Sequence, residues 1–249
     1  VNRKTDIAIL PLGATEQHGS HLPFETDTLI AQGIADALAR RLAKTSIRAE
    51  LLPAEPIGYS PEHMDVPGSS MLGYAEAIER WTAIGADCKA RGINRFLMLN
   101  AHGGNAPLMT IVASELRRHH AMLAVATSWT RFIEPGGRIS TDEKAYGIHG
   151  GDIETSLMLA LYPDKVDMAR AADFPSLQQH LAGRYQYLRA YGQHAFGWMM
   201  SDLNPHGVAG NAASATAQKG HELIDQAADG LVRLVHEIVD FQPPFLDGP

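Results

Sequence analysis

Three short stretches of this chain gather the side chains that bind divalent metal ions. The first runs Gly13-Ala-Thr-Glu16-Gln-His18-Gly-Ser-His21-Leu-Pro-Phe-Glu25-Thr-Asp27. Glu16 and His18 are two residues apart, so on an extended backbone they project to the same side. Asp27 follows closely enough to fold back over them. The second stretch is Asn100-Ala-His102-Gly-Gly-Asn105, whose glycines permit a tight turn and leave His102 presented at a rim. The third is His149-Gly-Gly-Asp-Ile-Glu154-Thr-Ser, a glycine turn running into a helical pattern. Two imidazoles and three carboxylates (His18, His102, Glu16, Asp27, Glu154) suit Zn2+ or Mn2+, and no cysteine pair competes for the role. Charge counting favours two ions. The three carboxylates fall one short of four positive charges, and a bridging hydroxide supplies the difference. Such an ion pair acidifies water and polarises a carbonyl at the same time.

Taken singly, each residue has a plainer role. A lone histidine is more often hydrogen-bonded structure than a ligand. Asp27 alone reads as an N-cap of the helix that follows, Asn105 as another cap, and Gly103-Gly104 as a turn. Three such motifs in one chain outweigh those separate accounts. His21 and His63 have no supporting partner in sequence and are expected to be structural. His119-His120 closes a helix, where the dipole favours positive charge. Trp129, Trp198 and Tyr146 are weak candidates for pocket walls. The nucleophile-elbow, phosphate-loop, H-E-x-x-H and dinucleotide motifs are all absent.

The elements that must position these groups follow an alternating β/α pattern. Ile7-Ala-Ile-Leu-Pro-Leu reads as a first strand. Leu29, Ile30, Ile34, Leu38 and Leu42 give Thr28–Leu42 a helical period. Leu51-Leu-Pro-Ala-Glu-Pro-Ile is strand-like but interrupted by prolines, which places it at an edge or a turn. Tyr74–Arg91 is helical, with Gly92 as its stop. Arg95–Asn100 is a buried strand, Pro107–His120 a helix and Met122–Thr127 another strand. Residues 134–147 are polar and glycine-rich and are expected to form a surface loop. Asp152–Leu161 and Thr216–Val239 are helices, the second closing the domain. The pattern predicts a mostly parallel sheet with helices on both faces, in one domain over residues 1–249. In such sheets ligands bind beyond the carboxyl ends of the strands, where the first two motifs fall.

Composition agrees with a soluble globular protein of one α/β domain. The chain has 249 residues, 45% hydrophobic and 20% charged, enough for one sizeable core. A net charge of −7 argues against nucleic acid or an anionic membrane as partner. Cys88, the single cysteine, sits in a helical stretch and reads as a small buried side chain. The apolar run Ile7–Leu10 after Arg3 and Lys4 is broken at Pro11 and lacks a cleavage site, so a signal peptide is not expected. No stretch approaches a membrane span, and a cytoplasmic location is the expectation.

The motifs resemble the creatininase, or creatinine amidohydrolase, family. The resemblance rests on Leu12-Gly-Ala-Thr-Glu-Gln-His-Gly-Ser-His-Leu-Pro with Asp27, on Asn100-Ala-His-Gly-Gly-Asn and on His149-Gly-Gly-Asp-Ile-Glu-Thr-Ser. Gly207-Val-Ala-Gly-Asn-Ala-Ala-Ser-Ala-Thr-Ala-Gln-Lys-Gly before the last helix adds to it. It implies a three-layer α/β/α fold with two divalent ions per chain, Zn2+ first, with Mn2+ or Fe2+ as alternatives. It further implies hydrolysis of a C–N bond in a small amide or cyclic amide by a hydroxide held between the ions, and a homo-oligomer, frequently a hexamer. Carried over by motif, Glu16 and His102 would hold one ion, His18 the other, and Asp27 would bridge them. His149 would be the catalytic proton shuttle. Creatininase proper carries a metal-binding glutamate where this chain has Gly104, so Glu154 is expected to supply the missing ligand and creatinine is disfavoured as substrate. Relatives with His-Gly-Gly-Asn include deformylases of formamidopyrimidine nucleotides, peptide-trimming enzymes and hydrolases of sugar lactones or inososes. The readings left open beside an amidohydrolase are a single-zinc peptidase, a lactone or sugar-type hydrolase on the same fold, and a non-catalytic, metal-stabilised assembly protein.

Overall fold

The computed structural model describes residues 5–134 and 136–246. Four parallel strands, β1 (Ile7–Leu12), β2 (Ala49–Leu51), β3 (Arg95–Asn100) and β4 (Leu123–Ser128), form one sheet in the order β2-β1-β3-β4. Side chains alternate across each strand. Ile7, Ile9, Leu97 and Leu99 pack on one face against α1 (Thr26–Leu42). Ala8, Leu10, Phe96 and Met98 pack on the other against α2 (Tyr74–Ala90) and α3 (Ala106–His120). A sheet covered on both faces needs apolar residues at every position, which is why β1 and β3 read as unbroken apolar runs. The three-layer α/β/α architecture expected from the motifs is the one present.

The chain then adds α4 (Thr141–Tyr146), α5 (Asp152–Leu161), β5 (Asp173–Phe174), α6 (Leu177–Arg184), α7 (Met200–Leu203) and β6 (Gly210–Asn211). It closes with α8 (Ala217–Asp240). Leu223, Ile224, Ala227, Leu231, Val235 and Ile238 form the buried stripe of α8, at the spacing of one helical face. That stripe completes the layer begun by α1 and α5. β5 and β6 pair antiparallel outside the main sheet. No helix among the described residues is long and apolar enough to cross a membrane.

Two expectations change in detail. The proline-interrupted segment is an edge strand as expected, but β2 stops at Leu51, two residues before Pro53. The chain then runs on beside β1 through a bridge between Leu12 and Glu55. Residues 134–147 are not simply a surface loop. Ser140 accepts a hydrogen bond from the Glu143 N–H at 3.0 Å and starts α4. The buried Glu143 carboxylate in turn accepts the Asn211 N–H at 2.7 Å. A polar residue used as an internal staple looks like a surface residue in sequence, which is why the helix was not expected.

In register, Leu12 lies beside Asn100 and Asn100 beside Ser128, so β1, β3 and β4 end at one edge. The first two motifs begin there. The third reaches the same edge through α5, which is pressed against α8 at Gly220. A Cβ on Gly220 would lie 1.9 Å from the Ser156 carbonyl oxygen. Alanine normally stabilises a helix interior relative to glycine, by about 1 kcal/mol. Here overpacking reverses the sign, and Gly220→Ala should lose about 1–3 kcal/mol. Urea denaturation checks this; a stabilised variant would show that α5 and α8 are not in close contact.

Candidate metal centre

Beyond β1 the chain turns through residues 13–25 and enters α1, whose second residue is Asp27. The N-cap position is held by Glu25 without a side-chain hydrogen bond, so Asp27 is not acting as the cap. Its carboxylate points back over the strand ends. Oδ1 is 3.2 Å from His18 Nε2 and Oδ2 is 3.2 Å from His102 Nδ1. Glu16 Oε1 lies 3.1 Å from the same His102 Nδ1 and 3.6 Å from His149 Nδ1. Glu154 Oε2 lies 3.8 Å from His18 Nε2 and also accepts the Gly150 N–H at 2.7 Å. The structure therefore brings together Glu16, His18, Asp27, His102, His149 and Glu154.

Each of the three inward histidines is aimed by a backbone carbonyl. His18 Nδ1 is 3.0 Å from the Glu16 carbonyl, His102 Nε2 is 3.0 Å from that of Tyr59 and His149 Nε2 is 2.6 Å from that of Gln17. A carbonyl only accepts, so these nitrogens carry the hydrogen. The opposite nitrogen of each ring then faces the carboxylates. This is the arrangement that fixes the tautomer of a metal-binding imidazole. Asn105 braces the backbone behind them. Its amide nitrogen donates to the Gly13 carbonyl and its amide oxygen accepts the Tyr59 N–H.

Electrostatics shows how strongly the cluster draws in positive charge. Burial would raise Glu16, but the neighbouring His102 holds it down at about 2. Asp27 is lowered in the same way against its burial, chiefly by His18. Burial would lower His18, yet Asp27 and its neighbours raise it to about 9, and Glu16 and Asp27 raise His102 further. Burial pushes Glu154 up to about 7, with His18 opposing. His149 is driven well below the ordinary imidazole range by burial and by its histidine neighbours. Asp27 Oδ2 is buried without a well-aligned hydrogen bond. These donors fit divalent ions. Among the described residues, three groupings have ligand atoms within 4.8 Å of one another: His18-Asp27-Glu154, Glu16-His18-His149 and Glu16-Glu62-His102.

Two members of the site were not expected. Residues 59–63, ending in a short turn at Pro61–His63, fold over the strand ends. His63, expected to be structural, lies with Nε2 3.4 Å from Glu16 Oε1 and stacks on His149 at 4.3 Å. His149 stacks in turn on His18 at 4.0 Å. Glu62 Oε1 lies 3.5 Å from His102 Nε2. The signal available in sequence was an acid–histidine pair following an edge strand. His21 is structural as expected, bonding to the Gly150 carbonyl and to Thr155 Oγ1.

A cavity of about 780 Å³ opens onto Glu16, Glu62, His63, His102 and His149. Trp198 walls it, as expected, together with Tyr191 and Met199. Trp129 is instead part of the core, and Tyr146 lines a separate cavity. Their positions follow from their elements. Trp129 begins the turn after β4 and packs inward, whereas Tyr146 ends α4.

Buried acids and oriented imidazoles beside an open cavity, at the strand ends of a three-layer α/β fold, are the site of a metal-dependent hydrolase. The family model for creatinine amidohydrolase matches residues 1–235, and the chain belongs to the creatininase family. It is 31% identical to the mycofactocin precursor peptide peptidase of Mycobacterium ulcerans, over 90% of this chain and 82% of that one. It is 26% identical to the 3-dehydro-scyllo-inosose hydrolase of Thermotoga maritima, over 97% and 80% respectively. The manganese form of creatininase superposes with a TM-score of 0.75 at 25% identity, over 94% of this chain and 91% of that one. A Zn-Zn form of a creatininase variant superposes with a TM-score of 0.76.

Near neutral pH the metal-free cluster holds protons on His18 and His102, since both are raised above neutrality. An incoming ion must displace them. Zinc binding should therefore release protons, less so as pH rises through about 9, where metal-free His18 deprotonates. Calorimetry in buffers of different ionisation enthalpy measures this. A binding enthalpy independent of the buffer would contradict it.

Proposed function

We propose that this chain hydrolyses a C–N bond of a small amide or cyclic amide at a centre of two divalent ions, zinc or manganese. The observation that carries the reading is Asp27, whose two oxygens face imidazoles from two different motifs. Glu16, Asp27 and His102 would hold one ion, and His18, Asp27 and Glu154 the other. Ions bound there acidify water and polarise a substrate carbonyl.

The chain's own residues do the rest. Gln17, Tyr59 and Glu16 carbonyls keep the imidazoles turned toward the carboxylates. His149, lowered enough to be neutral, offers Nδ1 at the cavity wall to take a proton from water and return it to the leaving nitrogen. Trp198 and Tyr191 shield the substrate from solvent. The activities of the relatives, on a peptide and on an inosose, support hydrolysis while differing in substrate. Gly104, in the place of creatininase's glutamate, argues against creatinine. A homo-oligomer, hexameric by family resemblance, and a cytoplasmic setting belong to the same reading. A panel of cyclic amides, formamides, short peptides and lactones tests it. Turnover of lactones alone, or of peptides with one ion per chain, would replace it.

Asp27→Ser separates bridging from helix support, because serine is tolerated at a helix start and is a poor bridge. The N-cap is Glu25, so serine at the second helical position should leave α1 intact. If Asp27 bridges, its loss should strip both ions from the dialysed, folded variant and abolish turnover. Two tightly held ions by mass spectrometry would sink the bridging role.

His149→Ala should fold, keep both ions and lose about 10²–10⁴-fold in turnover. Because its Nδ1 also has ligand spacing to Glu16 and His18, metal content is the deciding readout. Loss of an ion with unchanged turnover per remaining ion would make His149 a ligand instead.

A further inference from the structure

We infer that Glu62, from the turn after the edge strand, is a ligand of the ion held by Glu16 and His102, approaching it from the cavity side. The inference rests on the two-ion reading above and adds a residue that none of the three motifs contains. One carboxylate oxygen of Glu62 lies within 4.8 Å of ligand atoms on both Glu16 and His102. That spacing lets the three side chains close around one ion.

Little near Glu62 stabilises its charge beyond His102 and its own backbone amide. Its side chain is 16% exposed, and the cation it faces is His102, 3.5 Å away at Nε2. That nitrogen already has its hydrogen committed to the Tyr59 carbonyl at 3.0 Å. No lysine or arginine lines the cavity around it among the described residues. A largely buried carboxylate that shares its one imidazolium with Glu16 and Asp27 is poorly compensated, and a divalent ion beside it would supply the missing charge.

The backbone opposite has made room for it. A Cβ at Gly104 would lie 3.2 Å from Glu62 Oε1, 2.5 Å from His102 Nε2 and 2.3 Å from the Tyr59 carbonyl. A side chain at residue 104 and the segment 59–62 therefore cannot share this space. Glycine at 104 lets the turn close down and deliver its carboxylate beside His102. Glu154 stands on the other side of the cluster, next to His18 and Asp27. The carboxylate adjacent to Gly104 is thus Glu62, and Glu154 serves the second ion.

The test is a competition titration of zinc against a chelator series, on the demetallated wild-type chain and on Glu62→Gln and Glu154→Gln. Far-UV circular dichroism and thermal melting of the metal-free forms confirm that each variant folds. The isosteric amide should weaken one of the two ions by more than about 100-fold, beyond the 10–100-fold typical of a residue acting behind a ligand. Glu154→Gln should weaken the other ion, so that the double variant loses both. An unchanged affinity in Glu62→Gln, or a loss smaller than that, would overturn the ligand role. Fewer than two ions in the wild-type chain would instead refute the two-ion reading on which it rests.

Discussion

A carboxylate taken out of water must be met by positive charge or by hydrogen-bond donors, and Asp27 meets imidazoles on both of its oxygens. The surrounding architecture serves that arrangement. The parallel register of β1 and β3 brings Leu12 and Asn100 side by side, so His18 and His102 leave the sheet at one edge. The start of α1 lies across this edge and carries the carboxylate between them. Carbonyls of Glu16, Tyr59 and Gln17 then set ring orientations that the side chains alone would not hold.

The same burial makes the centre a poor structure without cations. Glu16 and Asp27 are held ionised by protons drawn onto His18 and His102. Removing one member of such a buried group typically costs about 3–5 kcal/mol, since the partner's charge is left unmet. Divalent ions bound at the same places would replace those protons and supply more charge. His149 is the exception within the cluster. Burial and the neighbouring His18 and His63 hold it well below the ordinary imidazole range, which suits the proton-transfer role proposed for it.

Much of this was legible in the sequence, for identifiable reasons. β1 and β3 are buried on both faces and so leave unbroken apolar runs, while α8 leaves a regular stripe. Glu16, His18, Asp27, His102, His149 and Glu154 stand in compact motifs at strand or helix ends, where type and spacing carry information. Glu62 and His63 do not. They reach the centre because residues 59–63 cross over from an edge strand, a tertiary event with no local period. Glu143 was obscured differently, since a buried carboxylate that bonds backbone amides has the composition of a surface loop. Trp129 and Tyr146 show the limit of reading aromatic residues by type. Neither faces the main cavity, whereas Tyr191, in an irregular segment, does.

The central claim is that Asp27 joins two ions. Anomalous diffraction from zinc-loaded crystals, recorded on both sides of the absorption edge, tests it directly. The account requires two peaks, each at about 2.0–2.2 Å from a different oxygen of Asp27, one beside His102 and the other beside His18. A single peak, or two peaks with Asp27 bound to only one, would contradict it.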